Sequence, residues 1–362
     1  MSQHIPNIAL DVMGGDDGLP TVIEGAELAR VRNPALKLKL YGDASQIGKA
    51  LEAYPKLAEI SDIIPAEHVV HAMDKPSQAL RRMGKTSMGL AVNAVKEGKA
   101  DAAMSAGNTG ALMAMAKISL RTLEGIDRPA LATLVPTSKG SCVMLDLGAN
   151  TECNSTNLVQ FAAMGSAFAK TILMRNRPSV ALLNIGVEDM KGPTILQEAF
   201  SQLHNAKLPI DFRGFTEGDQ IGVGDIDVIV TDGFSGNIAL KSIEGTARLF
   251  GKLMKVAFSA SWMSKLGFLL AAPSFNSVKN HIDPNNHNGA IFLGLNGLVI
   301  KSHGSADSNG IANAIGLTTR LIQDCLLKRI SKSLPQFRES PQSINNNNSE
   351  NGSGNQETVS KQ

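Results

Sequence analysis

Short apolar runs alternate with stretches of helical periodicity along almost the whole chain. The runs at 8–12, 36–41, 100–105, 130–135, 142–147, 179–185, 226–231 and 298–302 predict strands. Val143-Met144-Leu145 and Val180-Ala181-Leu182-Leu183 are apolar at successive positions rather than alternately, the pattern of strands covered on both faces. Apolar residues at helical spacing predict helices over 21–32, 87–98, 109–123, 154–174, 193–204, 237–258 and 308–330. Strand then helix, repeated, implies an α/β fold of three layers, α/β/α, around a largely parallel sheet. Residues 1–334 read as a single large domain. From about Pro335 the composition shifts to Ser, Asn, Gln, Glu and Gly. Such a segment cannot offset its ordering entropy, so 335–362 is expected to be a disordered polar tail.

Composition narrows the function classes. Hydrophobic residues make up 43% of the 362 and charged residues 19%, enough apolar side chains for a sizeable core. Lys and Arg number 35 against 33 Asp and Glu, and aromatics are 4%, so neither a polycationic nor a base-stacking nucleic-acid binder is expected. Cys142, Cys153 and Cys325 form no CxxC pair, and an odd number fits a reducing compartment. The N-terminal residues lack a basic-then-apolar signal, and no apolar run reaches the roughly 18 residues of a membrane span. A cytoplasmic location is expected. His68 and His71 lack the spacing of a metal site.

Two strand ends carry the clearest chemistry. After 100–105 comes Ser105-Ala-Gly107-Asn108-Thr109-Gly110, then a helix. After 226–231 comes Asp232-Gly233-Phe-Ser-Gly236-Asn237, with Asn237 where an N-cap would sit and Lys241 about one turn further on. Both geometries aim backbone N–H groups and a positive helix end at the carboxyl edge of the sheet, where α/β folds bind anions. The plain alternative is a βα turn capped by Asn108 or Thr109. Polar residues end three further strands: Asp11 with Gly14, Gly15 and Asp16; Asp146 with Asn150; and Asn184 with Gly186, Glu188 and Lys191. His303 follows a fourth. Ala79–Thr86 approximates a phosphate-binding loop but follows a turn instead of a strand, so it reads as a helix start. Neither a GxSxG elbow nor a protease-like cysteine is present, so no covalent nucleophile is expected.

Taken together, Leu10-Asp11-Val-Met-Gly14-Gly15-Asp16, Ser105-Ala-Gly107-Asn108-Thr109-Gly110, Leu145-Asp146-Leu-Gly-Ala-Asn150, Leu183-Asn184-Ile-Gly186, Thr231-Asp232-Gly233-Phe-Ser-Gly236-Asn237 and Lys301-Ser-His303-Gly304 resemble the PlsX family. These are the bacterial acyl carrier protein:phosphate acyltransferases of phospholipid synthesis. The resemblance runs in order from about 8 to 330. One departure is the three residues Asp17, Gly18 and Leu19 before Pro20, where the family usually has two. The resemblance implies a fold similar to phosphotransacetylases and isopropylmalate dehydrogenases. It implies reversible transfer of a fatty acyl group from acyl carrier protein to inorganic phosphate, with no cofactor and no metal. It further implies a homodimer that passes its product to a membrane glycerol-3-phosphate acyltransferase. On that reading Lys241, Asn237, Asn108 and His303 are the catalytic candidates, and the polar and glycine residues of the motifs bind phosphate or substrate. An acyl-coenzyme A phosphotransacetylase and a non-catalytic, membrane-associated scaffold are the alternatives.

The stretch 256–284 protrudes from this scheme. At helical spacing Phe258, Trp262, Leu266 and Leu269 fall on one stripe, bordered by Lys265 and closed by Pro273. Either the stripe packs in a core or dimer interface, or it dips into a membrane surface as a peripheral contact.

Overall fold

Along β1 (Asn7–Asp11) Ile8 and Leu10 turn into one apolar core and Ala9 into another. The same division recurs in β4 (Ala102–Ser105), β6 (Gly140–Leu145) and β11 (Leu298–Lys301). That is why their sequences are apolar at every step: each strand is covered twice. The structure, a computed structural model, describes residues 4–206 and 209–338.

The other strands are β2 (Lys37–Gly42), β3 (Ser61–Pro65), β5 (Ala130–Thr137), β7 (Ser179–Leu183), β8 (Asp211–Thr216), β9 (Val228–Val230) and β10 (Ala290–Leu293). All join one sheet of order β3-β2-β1-β4-β11-β10-β5-β6-β9-β7-β8. Only β10–β11, β10–β5 and β5–β6 pair antiparallel. The halves β3-β2-β1-β4-β11 and β6-β9-β7-β8 are therefore each parallel but run in opposite directions.

The helices are α1 (Gly18–Arg32), α2 (Ala44–Leu51), α3 (Pro55–Ala58), α4 (Pro76–Arg81), α5 (Ser87–Lys96), α6 (Thr109–Leu120), α7 (Ser155–Ile172), α8 (Thr194–Asn205), α9 (Gly233–Ser259), α10 (Trp262–Ile282), α11 (Ser308–Gln323) and α12 (Leu326–Arg338). α1, α2, α7, α8, α11 and α12 contribute to the core on one face of the sheet, and α4, α5, α6 and part of α9 to the other. This is the α/β/α architecture expected.

Three strands have no counterpart in the sequence reading, for physical reasons. β3 and β8 are the sheet edges, so neither needs an apolar run. β8 is also broken at Gly214, whose φ of +77° suits glycine. β10 has only four residues. The stretch Ala79–Thr86 is helix and turn, with Lys85 paired to Glu67 at the surface, and its last residue, Thr86, caps the next helix, α5, by accepting from the Gly89 N–H. The helix expected over 308–330 is two helices, separated at Cys325, where φ is +53°. α12 carries the chain past 335 to Arg338, because Leu334 is the third buried residue of a stripe with Leu326 and Ile330. The rest of the expected tail, 339–362, lies outside the described residues.

The stretch 256–284 also needs correction. It is not one helix: α9 ends at Ser259, Ser261 caps α10 by accepting from the Ser264 N–H, and α10 continues through Pro273 to Ile282. Phe258 turns inside the resulting hairpin, its ring 5.2 Å from Phe268 and 4.9 Å from Phe275. Trp262, Leu266 and Leu269 remain exposed, and α10 has no buried residue.

Candidate functional site

At the end of β1, Asp11 accepts a hydrogen bond from the Ser105 hydroxyl at 2.7 Å. Ser105 in turn accepts from the Gly107 N–H at 3.0 Å. Burial pushes the Asp11 carboxyl up, against the pull of Ser105 and the more distant Lys301. Gly14 and Gly107 lie back to back, and a Cβ on Gly14 would stand 2.6 Å from the Gly107 nitrogen. Only glycine permits that approach. The loops after β1 and β4 are thereby welded to the loop after β11, where the Asp16 N–H donates to the Gly304 carbonyl at 2.8 Å.

Lys301 closes β11 and is buried. Its ammonium donates to the carbonyls of Ala106 (3.1 Å) and Ser302. Burial holds it down to about 8, with Lys241 adding repulsion and Asp16 and Asp11 opposing. His303 follows two residues on. The Ser305 N–H and hydroxyl lie 3.2 and 2.9 Å from its Nδ1. Burial first, then Lys241, hold His303 below the ordinary histidine range.

The other wall is α9. Its first turn packs on the Asp146–Asn150 loop so closely that a Cβ on Gly236 would stand 1.9 Å from the Asp146 carbonyl oxygen. Asp146, fully buried, holds this loop by accepting from the N–H groups of Leu131, Gly148, Ala149 and Asn150 and from the Asn150 amide. Burial pushes its carboxyl up, and the Ala149, Leu131 and Asn150 donors pull against it. Asn237, Lys241 and Glu244 lie on the cleft side of the helix. Lys241 Nζ is 2.8 Å from Glu244 Oε2 and 3.2 Å from His303 Nε2. Between α9 and β5 runs a cleft of about 540 Å³ that takes in Thr109, Gly148, Lys301, His303 and Gly304.

The structure thus brings Asn237, Lys241, His303 and Thr109 together. Asp11, Gly14, Gly15, Asp16, Ser105 and Gly107 build the loops beneath rather than the lining. Asn108 caps α6 by accepting from Ala111, and its amide donates to the carbonyls of Ala72 and Asp74. Gly110 packs beside Pro76.

Other expectations are corrected. Asp146 and Asn150 are committed to each other and to backbone, and Asp232 is the N-cap of α9, accepting from Phe234 and Ser235. Gly233 and Gly236 serve close packing, Asn237 lies inside the helix, and Lys241 is two turns in. Asn184, Gly186, Glu188 and Lys191 form a self-contained loop after β7, away from the cleft, tied by an Asn184 amide bond to the Lys191 carbonyl. Of the lysines and carboxylates in the cleft, Lys301 and Glu244 were missed. A lysine ending the apolar run Leu298-Val299-Ile300 was the available signal for the first. Glu244, three residues after Lys241, carried none.

A family model described as fatty acid synthesis protein matches residues 7–329. The phosphate acyltransferase of Erythrobacter litoralis is 54% identical over 337 residues, 92% of this chain and 95% of that protein. That of Parvibaculum lavamentivorans is 51% identical, covering 91% and 92%. The chain belongs to this family. It is an acyltransferase of the phosphate acyltransferase type. A phosphotransacetylase from Streptococcus pyogenes shares the fold of this phosphate acyltransferase, with a TM-score of 0.61 at 17% identity over 88% of this chain and 94% of that one.

Proposed function

We propose that this acyltransferase moves a fatty acyl group from the thioester of acyl carrier protein to inorganic phosphate, reversibly, giving acyl phosphate for phospholipid synthesis. One observation carries the reading: Lys241, His303 and Lys301 converge at a cleft whose remaining walls are largely apolar. A cationic head beside an apolar trough suits an anion and a fatty chain held together.

Hydrogen phosphate is itself the nucleophile. A phosphate oxygen bonds to the thioester carbon, the carbonyl oxygen becomes an oxyanion, and the C–S bond then breaks. The proton that hydrogen phosphate gives up leaves on the thiol. A thiol of pKa about 8.5 departs without strong acid help. The catalytic work is alignment and charge stabilisation. Lys241 neutralises phosphate, the His303 ring orients one of its oxygens, and the Asn237 amide with the positive end of α6 faces the oxyanion. Lys301 positions the loop that carries His303. No cysteine lines the cleft among the described residues, and burial holds the Cys142 thiol up to about 12 and Cys153 to about 11. Neither is suited to act as a nucleophile.

The α9–α10 hairpin supports a peripheral membrane contact, and kinship with the family supports a homodimer. The hairpin's apolar surface is uncovered, and no helix among the described residues is long and apolar enough to cross a membrane. Delivery to a membrane glycerol-3-phosphate acyltransferase accords with a product that is half fatty chain.

The test is to incubate the protein with palmitoyl-carrier protein and phosphate and to trap acyl phosphate as hydroxamate. Phosphate-dependent hydroxamate is expected. Turnover of palmitoyl-coenzyme A with none from the carrier protein would overturn the choice of donor.

A further inference from the structure

The cleft has a direction. At one end Asn237 lies beside Gly148, 3.8 Å from a Cβ built there. Lys241 meets His303 in the middle. Ala247 and Ile282 lie toward the other end, where His281 makes a 2.7 Å ring-nitrogen contact with the Thr137 carbonyl and so pins α10 to the end of β5. From Asn237 to Ala247 a helix advances about 15 Å. From Leu131 to Pro136 a strand advances about 16 Å. Helix and strand therefore line the trough along the same length.

Beyond the cations the trough is lined by Val135 and Pro136 below and Ile243 and Ala247 above. Past Ala247 the same helix exposes Phe250 and Leu253 on the hairpin, 52% and 59% accessible. The apolar lining thus continues onto an apolar surface instead of ending in water. Ala247 is a small side chain in this part of the lining, and Ile282 faces the same space from α10.

We propose that the acyl chain runs along this trough toward Ala247 and Ile282, and that these two side chains set the chain length accepted. The inference rests on the acyl-transfer reading above. A short acyl group ends inside the trough. A long one passes between Ala247 and Ile282 and emerges against Phe250 and Leu253. A bulky side chain at 247 removes that exit while leaving the cationic head unchanged.

The test compares octanoyl-, lauroyl- and palmitoyl-carrier protein as donors, reading kcat/KM for acyl phosphate release. Ala247→Phe should lower the palmitoyl-to-octanoyl ratio about tenfold or more, the scale at which a mismatched apolar pocket discriminates. Ile282→Ala should move the ratio the other way, which keeps the test open should Ala247→Phe fold poorly. Leu240→Phe, toward the opposite end, should leave the ratio as it was. Unchanged ratios in the first two variants would overturn the inference while leaving the acyl-transfer reading standing, as would a shift confined to Leu240→Phe. No acyl phosphate from the wild type with any donor would overturn both.

Discussion

Lys241 and Asn108 carry the same sequence-based expectation but stand in different physical situations. Lys241 is half exposed, and its partners Glu244 and His303 also line the cleft. A surface pair of this kind contributes little to stability. Lys241→Ala is therefore expected to lower kcat by about 100-fold, the scale of one lost preorganised charge, with the melting temperature nearly unchanged. Asn108 instead caps α6 and ties it to the Ala72–Asp74 turn. Asn108→Ala should cost about 1 kcal/mol of stability from the cap alone and lower turnover with it. Thermal unfolding beside steady-state rates separates the two; equal losses of stability would place Lys241 in the framework. The motifs marked such residues without revealing their roles. Asp146 and Asn237 both belong to βα junctions in the sequence, yet one is sealed beneath the loop and the other faces the cleft. Spacing along a chain does not encode which way a turn faces.

At the level of elements, legibility followed burial. Strands covered on both faces announce themselves by unbroken apolar runs, while β3 and β8, at the edges, do not. The hairpin is the opposite case. Its apolar residues were plain, but the break at 260–261 was not, because Ser and Ala there are as acceptable inside a helix as at its end. That break decides which side chains face outward. Phe258 turns toward Phe268 and Phe275 across the hairpin, leaving Trp262, Leu266 and Leu269 at 73%, 49% and 69% exposure. Each such side chain gains about 1.5–3 kcal/mol when fully buried, so partial burial of three supports reversible attachment to a bilayer. Wild type is expected to float with phosphatidylglycerol-containing vesicles, and Trp262→Glu/Leu266→Glu/Leu269→Glu to stay behind with its helix content intact. A triple variant that instead falls from dimer to monomer would assign this surface to a second copy of the chain.

At the scale of the whole molecule, the cleft is a seam between two oppositely directed half-sheets. Lys301 and His303 come from the half containing β1, β4 and β11, and Lys241 and Gly148 follow β9 and β6 of the other. The βα repeat in the sequence foretold a largely parallel sheet but not its division into two opposed halves, since the reversal depends on the short β10 and the β5–β6 pairing. The C-terminal helices bridge the seam: α11 packs on α1 of the first half and α12 on α7 of the second. α12 does so through Leu326, Ile330 and Leu334, at most 6% exposed and spaced four apart on one face. Their burial is worth together about 5–9 kcal/mol, comparable to the roughly 5–15 kcal/mol that separates folded from unfolded domains. A chain ending at Cys325 should therefore lose cooperative unfolding and activity together, because the two walls of the cleft are no longer held in register. A chain ending at Arg338 keeps all three residues and should match the full-length protein in both. Urea unfolding of the two truncations, read beside acyl phosphate formation, checks this. Full activity in the shorter chain would mean that the half-sheets are aligned by the central antiparallel strands alone.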